Sequence, residues 1–468
     1  MLFSSMTFVY IFLPVICLLY LCSKKELHNG ILLAASVLFY AWGEPKYLAI
    51  MLITILVNYL GALSLEKFPK HKKLSLILTV IVDLGFLIYF KYFNFIIDNL
   101  NSLCHVSIDP INVIMPIGIS FYTFQAMSYL IDVYRGECRA QKDFYKLSLY
   151  ICLFPQLIAG PIVKYHDIEE QIDSREVNFE KVQYGVKRFI IGLSKKMLIA
   201  NTLGAVADKI FAQSPDAFTT PIAWLGAICY SFQLFYDFSG YSDMAIGLGM
   251  IFGFKFMENF NYPYISKSIT EFWRRWHISL STWFKEYLYI PLGGSRCSMK
   301  RTCFNLGVVF LLTGIWHGAN WTFVIWGVWN GFFIILEKIT NLHKETNSKP
   351  LNFIKHIYTI FIFVIGWVIF RADNINYAFE YIKNMFNLVE INPPSVSYAL
   401  PYYIDTFEII AFVAAILCSM PIFKNILNIK KENKILYGLI NFWLLILFII
   451  STATIAASTY NPFIYFRF

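Results

Sequence analysis

The sequence predicts an all-α polytopic membrane protein with about ten or eleven transmembrane helices and additional re-entrant and interfacial pieces. Three observations predict it. Of 468 residues, 57% are hydrophobic and 18% aromatic, only 15% are charged, and the mean hydropathy is +0.56. That is more apolar surface than a water-soluble domain has reason to carry. Apolar runs recur from residue 6 to the last residues. Clusters of Lys and Arg separate many of those runs in alternation, which is how cytoplasmic loops are marked. The recurrence favours a single membrane domain over residues 1–468 rather than several soluble ones. The net charge of +9 then reports loop topology and gives no reason to expect nucleic acid. Nine cysteines show no CxxC and no Cys/His cluster of metal spacing, and Cys17, Cys152, Cys229 and Cys418 lie inside apolar runs. Neither a disulfide framework nor a metal site is expected.

Residues 6–22 lack a preceding positive region and a following cleavage site, so they are read as a retained first helix. Lys24 and Lys25 place its end in the cytoplasm and its start outside. Residues 31–42 lead out and 47–65 return to the basic run Lys67, Lys70, Lys72 and Lys73. Residues 74–95 lead out again, and 113–133 come in ahead of Arg135, Arg139 and Lys142. Residues 147–163 hold FPQLIAGP, whose two prolines and glycine predict a re-entrant element around Gln156. Residues 184–211 carry Lys187, Arg188, Lys195 and Lys196, so an interfacial helix is expected. In 222–252 the phrase YDFSGYSD puts Asp237 and Asp243 in an apolar run, which suggests a broken helix facing a polar cavity. Residues 353–370 lead out, 406–420 come in, and Lys424, Lys430, Lys431 and Lys434 mark a last cytoplasmic loop. Residues 436–457 exit, leaving 458–468, with the aromatic phrase NPFIYFRF, at the outer face. Both termini are thus expected outside the cytoplasm.

The chemistry concentrates in residues 271–331, which hold Trp273, Trp276, Trp283, Trp316, Trp321, Trp326 and Trp329 of the 11 tryptophans. His317 interrupts an apolar hairpin in the phrase WHGAN. It is either a histidine bonded between helices or a general base, since an ordinary imidazole titrates at about 6.5. Gly314 and Gly318 would let a backbone or ligand approach it, and Asn320 could orient the ring or a carbonyl. His277 ends the phrase WRRWH. Trp273, Arg274, Arg275 and Trp276 are either an interfacial anchor or a site for donor phosphate, because paired guanidinium groups suit phosphate. Asp237 and Gln156 are structural caps or liners of a polar path, and the terminal aromatics are a belt or something more specific.

WRRWHISLSTWFKEYLYIPLGG, GIWHGANWTFVIWGVWNG, FPQLIAGPIVKYHDI, YDFSGYSDMAIGLGMIFGFKFMENFNYPY and NPFIYFRF together resemble the membrane-bound O-acyltransferases. The similarity is greatest to the branch that O-acetylates alginate and peptidoglycan; the D-alanine-exporting branch shares RRWH and IWHG but is usually shorter. The resemblance implies a ring of helices around a tunnel, a cytoplasmic thioester donor such as acetyl-CoA with no resident cofactor, and an extracytoplasmic acceptor. It implies that His317 is the catalytic histidine and His277 the second motif histidine, where eukaryotic relatives carry asparagine. It further implies a separate SGNH-type partner that modifies a polysaccharide, in a multi-pass plasma- or inner-membrane setting among membrane lipids. Within that reading Tyr465 is expected to relay the acyl group as a phenyl ester, a phenol being a better leaving group than an aliphatic hydroxyl. The competing expectations are D-alanyl transfer to teichoic acid and a transporter or flippase without acyl chemistry.

Overall fold

A computed structural model of the chain describes residues 1–111, 113–158, 160–388, 399–424 and 434–464. Its regular structure is entirely helical among those residues. Six of the described helical stretches are long and apolar enough to cross a membrane: Pro45–Lys67, Pro69–Cys104, Phe179–Phe211, Trp321–Thr340, Lys349–Arg371 and Lys434–Ala457. Phe8–Cys22 and Thr406–Cys418 are shorter apolar helices. Among the described residues these long spans are joined by shorter helices, such as Ile119–Arg135 with 17 residues and Phe144–Cys152 with 9. Large apolar side chains such as Leu439, Phe442, Trp443 and Ile449 are exposed on Lys434–Ala457, as a lipid-facing helix requires.

The chain divides into two compact units, one of residues 1–189 and 241–257, the other of 190–240 and 258–468. In the first, Leu48–Lys67 and Lys72–Leu87 pair closely: a Cβ on Gly61 would collide with the Thr79 side chain. Asn58 Nδ2 donates to both carboxylate oxygens of the buried Asp83, at 2.9 and 3.1 Å. Arg175 ties three stretches together by donating to the Tyr20 hydroxyl at 3.0 Å, the Phe252 carbonyl at 3.0 Å and Asn29 Oδ1 at 2.7 Å. Its guanidinium also lies 4.5 Å over the Phe254 ring. The proline-interrupted stretch is the helix Phe144–Cys152 followed by the short buried helix Phe154–Leu157. There Gln156 is fully buried and donates to the Tyr150 carbonyl at 2.5 Å.

Two expectations fail for one reason. Thr220–Ile251 runs as an unbroken 32-residue helix through Asp237 and Asp243. Phe179–Phe211 is mostly buried against protein, rather than open along one face as an interfacial helix would be. The charges that suggested a break and an interface neutralise each other. Arg188 reaches Asp243 at 2.8 Å, and Lys196 reaches Asp237 at 2.6 Å. Buried ions persist when paired.

In the second unit, Met299–His317 and Trp321–Thr340 form the tightest hairpin. Gly314 makes that crossing possible: a Cβ there would strike the Phe323 carbonyl oxygen and lie 3.0 Å from Gly327 Cα. A Cβ on Gly327 would in turn meet the Phe310 carbonyl at 2.5 Å. Small residues let two backbones touch, which is how helices associate without a solvent-driven force.

Candidate active site

The short helix Ile269–Arg275 starts at Ser268, whose hydroxyl accepts the Glu271 amide at 3.0 Å. Glu337, at the far end of Trp321–Thr340, supplies the rest of the cap. Its buried carboxylate accepts the Ile269 and Thr270 amides at 2.6 and 2.9 Å and the Thr270 hydroxyl at 2.7 Å. A negative charge on the positive end of a helix is favourable, more so when water is absent. One face of Trp321–Thr340 thus seats the whole motif helix. Trp273 donates its indole N–H to Asn330 Oδ1 at 3.2 Å and meets Trp326 edge-on at 5.5 Å.

The two arginines of that helix separate. Arg275 is committed locally, donating to Glu271 at 2.9 Å and to the Asn261 carbonyl at 3.0 Å. Arg274 is exposed. Trp276 is buried among Phe272, Phe260 and Trp367, with ring centroids 5.5, 5.1 and 5.0 Å away.

His277 follows in a left-handed conformation, φ +43°, at the start of Ile278–Phe284. A branched-from-backbone side chain rarely adopts that region, and holding it there costs about 1–3 kcal/mol. Asn259 supplies the restraint. Its carbonyl oxygen accepts the Ile278 amide at 2.9 Å, and its Oδ1 accepts the Ser279 amide at 3.1 Å and the Ser279 hydroxyl at 2.9 Å. Because a backbone N–H can only donate, the atom facing it is the oxygen of the amide. His277 Nδ1, 3.2 Å from the same Oδ1, must therefore carry the proton. That leaves Nε2 as the basic nitrogen. Burial pushes the His277 imidazole down to about 3, so the ring is neutral at physiological pH.

His317 ends Met299–His317 and is buried. Trp326 and Phe370 present edges or faces to it at 5.0 and 5.1 Å, and Trp316 at 5.0 Å. Trp316 also lies 6.3 Å from His277, and Phe238 packs edge-on against His277 at 4.6 Å. The structure therefore brings both histidines to the same indole, inside an aromatic enclosure. Asn320, expected to orient the ring or a carbonyl, caps Trp321–Thr340: Oδ1 accepts the Thr322 amide at 3.0 Å and Nδ2 donates to the Asp373 carbonyl at 2.9 Å. Asp237 sits beside Phe238 on their helix, bonded to Lys196 and to the Ile464 amide at 2.9 Å. Tyr465 lies outside the described residues, but Phe463 and Ile464 before it are buried. Asn259, Asn330 and Glu337 were not singled out by the sequence. The available signal was the few polar residues set in two aromatic runs, MENFNYPY and WNGFFIILEK.

The model of the family described as MBOAT, membrane-bound O-acyltransferase, matches residues 139–379, a span that contains both histidines. The chain belongs to the membrane-bound O-acyltransferase family. A probable alginate O-acetylase of Pseudomonas putida is 42% identical over 100% of both chains. A peptidoglycan O-acetyltransferase of Helicobacter pylori is 34% identical, covering 91% of this chain and 87% of its own length. A teichoic acid D-alanyltransferase of Bacillus subtilis is 31% identical over 51% of this chain and 62% of its own. The protein is a multi-pass membrane O-acyltransferase.

Proposed function

We propose that this O-acyltransferase moves an acetyl group from a cytoplasmic thioester, acetyl-CoA, across the membrane to a separate extracytoplasmic SGNH-type partner, which then O-acetylates a cell-wall polymer or exopolysaccharide. The observation that carries the reading is the pairing of a buried His317 with a neutral, tautomerically fixed His277 around Trp316. Whole-length similarity to a protein named for alginate O-acetylation supports acetyl as the group.

In this reading His317 acts as general base toward the hydroxyl of Tyr465. The phenol oxygen attacks the thioester carbonyl, the C–S bond breaks, the proton goes by way of His317 to the departing thiolate, and a phenyl ester forms. A serine of the partner then takes the acetyl group and the phenol is restored. His277 presents Nε2 to the enclosure and contributes polarity without charge. Arg274, the exposed arginine of the pair, holds donor phosphate while Arg275 keeps the helix shape. The protein sits in the plasma or inner membrane with both termini outside.

The test uses purified protein in liposomes with radiolabelled acetyl-CoA and the partner supplied outside. His317→Ala is expected to lower transfer by at least about a hundredfold with expression maintained; near-normal turnover would sink the enzyme chemistry assigned here. Tyr465→Phe is expected to abolish labelled ester on the protein, and normal polymer acetylation in that variant would show direct transfer. The D-alanyl alternative, favoured by the partial match to a D-alanyltransferase, is separated by which labelled thioester is consumed.

A further inference from the structure

Lys196 and Asp237 are each about 2% exposed in their side chains, and their charged atoms are 2.6 Å apart. An ion pair buried so completely must satisfy its remaining donors and acceptors or be costly. Here that capacity goes to the main chain of one segment. Lys196 Nζ donates to the Pro462 carbonyl, and Asp237 Oδ2 accepts the Ile464 amide at 2.9 Å. The two anchors lie two residues apart, so the main chain of this segment is held at both a carbonyl and an amide. Farther back, the Tyr460 hydroxyl donates to Asp208 Oδ2 at 2.6 Å, and the other Asp208 oxygen receives Arg371 at 2.7 Å.

The pair itself is rigidly placed. Lys196 sits in the wide helical turn Lys195–Ala200, and a Cβ on Gly240 would lie 2.7 Å from the Gly192 carbonyl and 3.2 Å from the Lys196 amide nitrogen. Two helices therefore touch at the level of the ion pair. Asp237 is the neighbour of Phe238, whose ring rests on His277.

We propose that Lys196 and Asp237 form a charged clamp on the backbone of Pro462–Ile464, making them positioning residues that hold this segment at the histidine enclosure. The proposal rests on the acyl-transfer reading for its purpose but not for its geometry. The clamp reads a carbonyl and an amide, so it grips the main chain of the segment and none of its side chains.

The test separates the two. In the full-length protein, hydrogen exchange is followed by mass spectrometry over the peptide containing residues 458–468, and acetyl transfer is measured on the same preparation. Ile464→Pro removes the amide that Asp237 accepts and leaves the ion pair in place, and Ile464→Ala controls for the loss of the isoleucine side chain. The proline variant is expected to lose protection throughout the segment and to lower the maximal transfer rate per folded molecule by about tenfold or more, with the acetyl-CoA KM unchanged. The alanine variant is expected to keep most of both. A Lys196→Met/Asp237→Leu double variant, which removes both charges together, should behave like the proline variant. Rapid exchange of the segment in the unaltered protein, or protection that survives Ile464→Pro, overturns the clamp. Lost protection with unchanged transfer overturns its positioning role. A protected segment in a protein that transfers no acyl group leaves the clamp standing and removes the functional reading instead.

Discussion

At the scale of single residues, the two histidines are held differently, and the difference is measurable. Asn259 fixes the protonated nitrogen of His277 and restrains its left-handed backbone. Asn259→Ala should therefore lower the maximal transfer rate by about tenfold or more at unchanged donor KM, while Asn259→Asp retains the acceptor oxygen and part of the rate. The depressed titration of His277 has a definite sign. An unfolded imidazole binds a proton below about 6.5 that the folded one refuses until about 3. The contribution to stability is full above 6.5 and is lost as pH falls toward 3. Thermal unfolding scans between pH 7 and 5 should show a falling midpoint that falls less in His277→Asn; equal slopes would place the acid sensitivity elsewhere. His317 was conspicuous in the sequence as an imidazole in an apolar aromatic run, and His277 stood out through the phrase WRRWH and the family resemblance. Asn259 was not, since an asparagine in a polar-aromatic phrase looks like a turn until its partners are seen.

At the scale of elements, the motif helix Ile269–Arg275 owes its seat to Glu337 on a helix far along the chain. Removing that carboxylate leaves two buried amides and a hydroxyl without their acceptor. Glu337→Ala should destabilise the protein by about 2–3 kcal/mol and Glu337→Gln by less, read as shifts in the detergent unfolding midpoint. A neutral outcome for Glu337→Ala would mean that Ser268 alone caps the helix. This is also where sequence reading stops. Periodicity shows that residues 321–340 form an apolar helix, but not which distant helix end its single acid serves. The same limit produced the expected break at Asp237 and Asp243: acids in an apolar run look disruptive until Lys196 and Arg188 are placed opposite them.

At the scale of the whole molecule, composition disclosed the polytopic helical class directly, since lipid-facing surfaces such as that of Lys434–Ala457 must be apolar outside as well as in. Cohesion within each unit was less apparent. In the first unit Arg175 joins distant stretches, its planar guanidinium serving Tyr20, Asn29 and Phe252 at once and stacking on Phe254. Arg175→Lys keeps the charge but loses the fork and the flat face, so it should lower the unfolding midpoint nearly as far as Arg175→Ala. Full rescue by lysine would mean that charge alone matters there.

The glycine crossing beneath His317 makes a genetic forecast. An added methyl at Gly318 meets the Phe323 ring, which a smaller residue could replace, whereas one at Gly314 meets the Phe323 carbonyl and the Gly327 backbone, which every substitution retains. Selection for revertants of Gly318→Ala should yield intragenic suppressors at Phe323. The same selection on Gly314→Ala should return only true reversion to glycine.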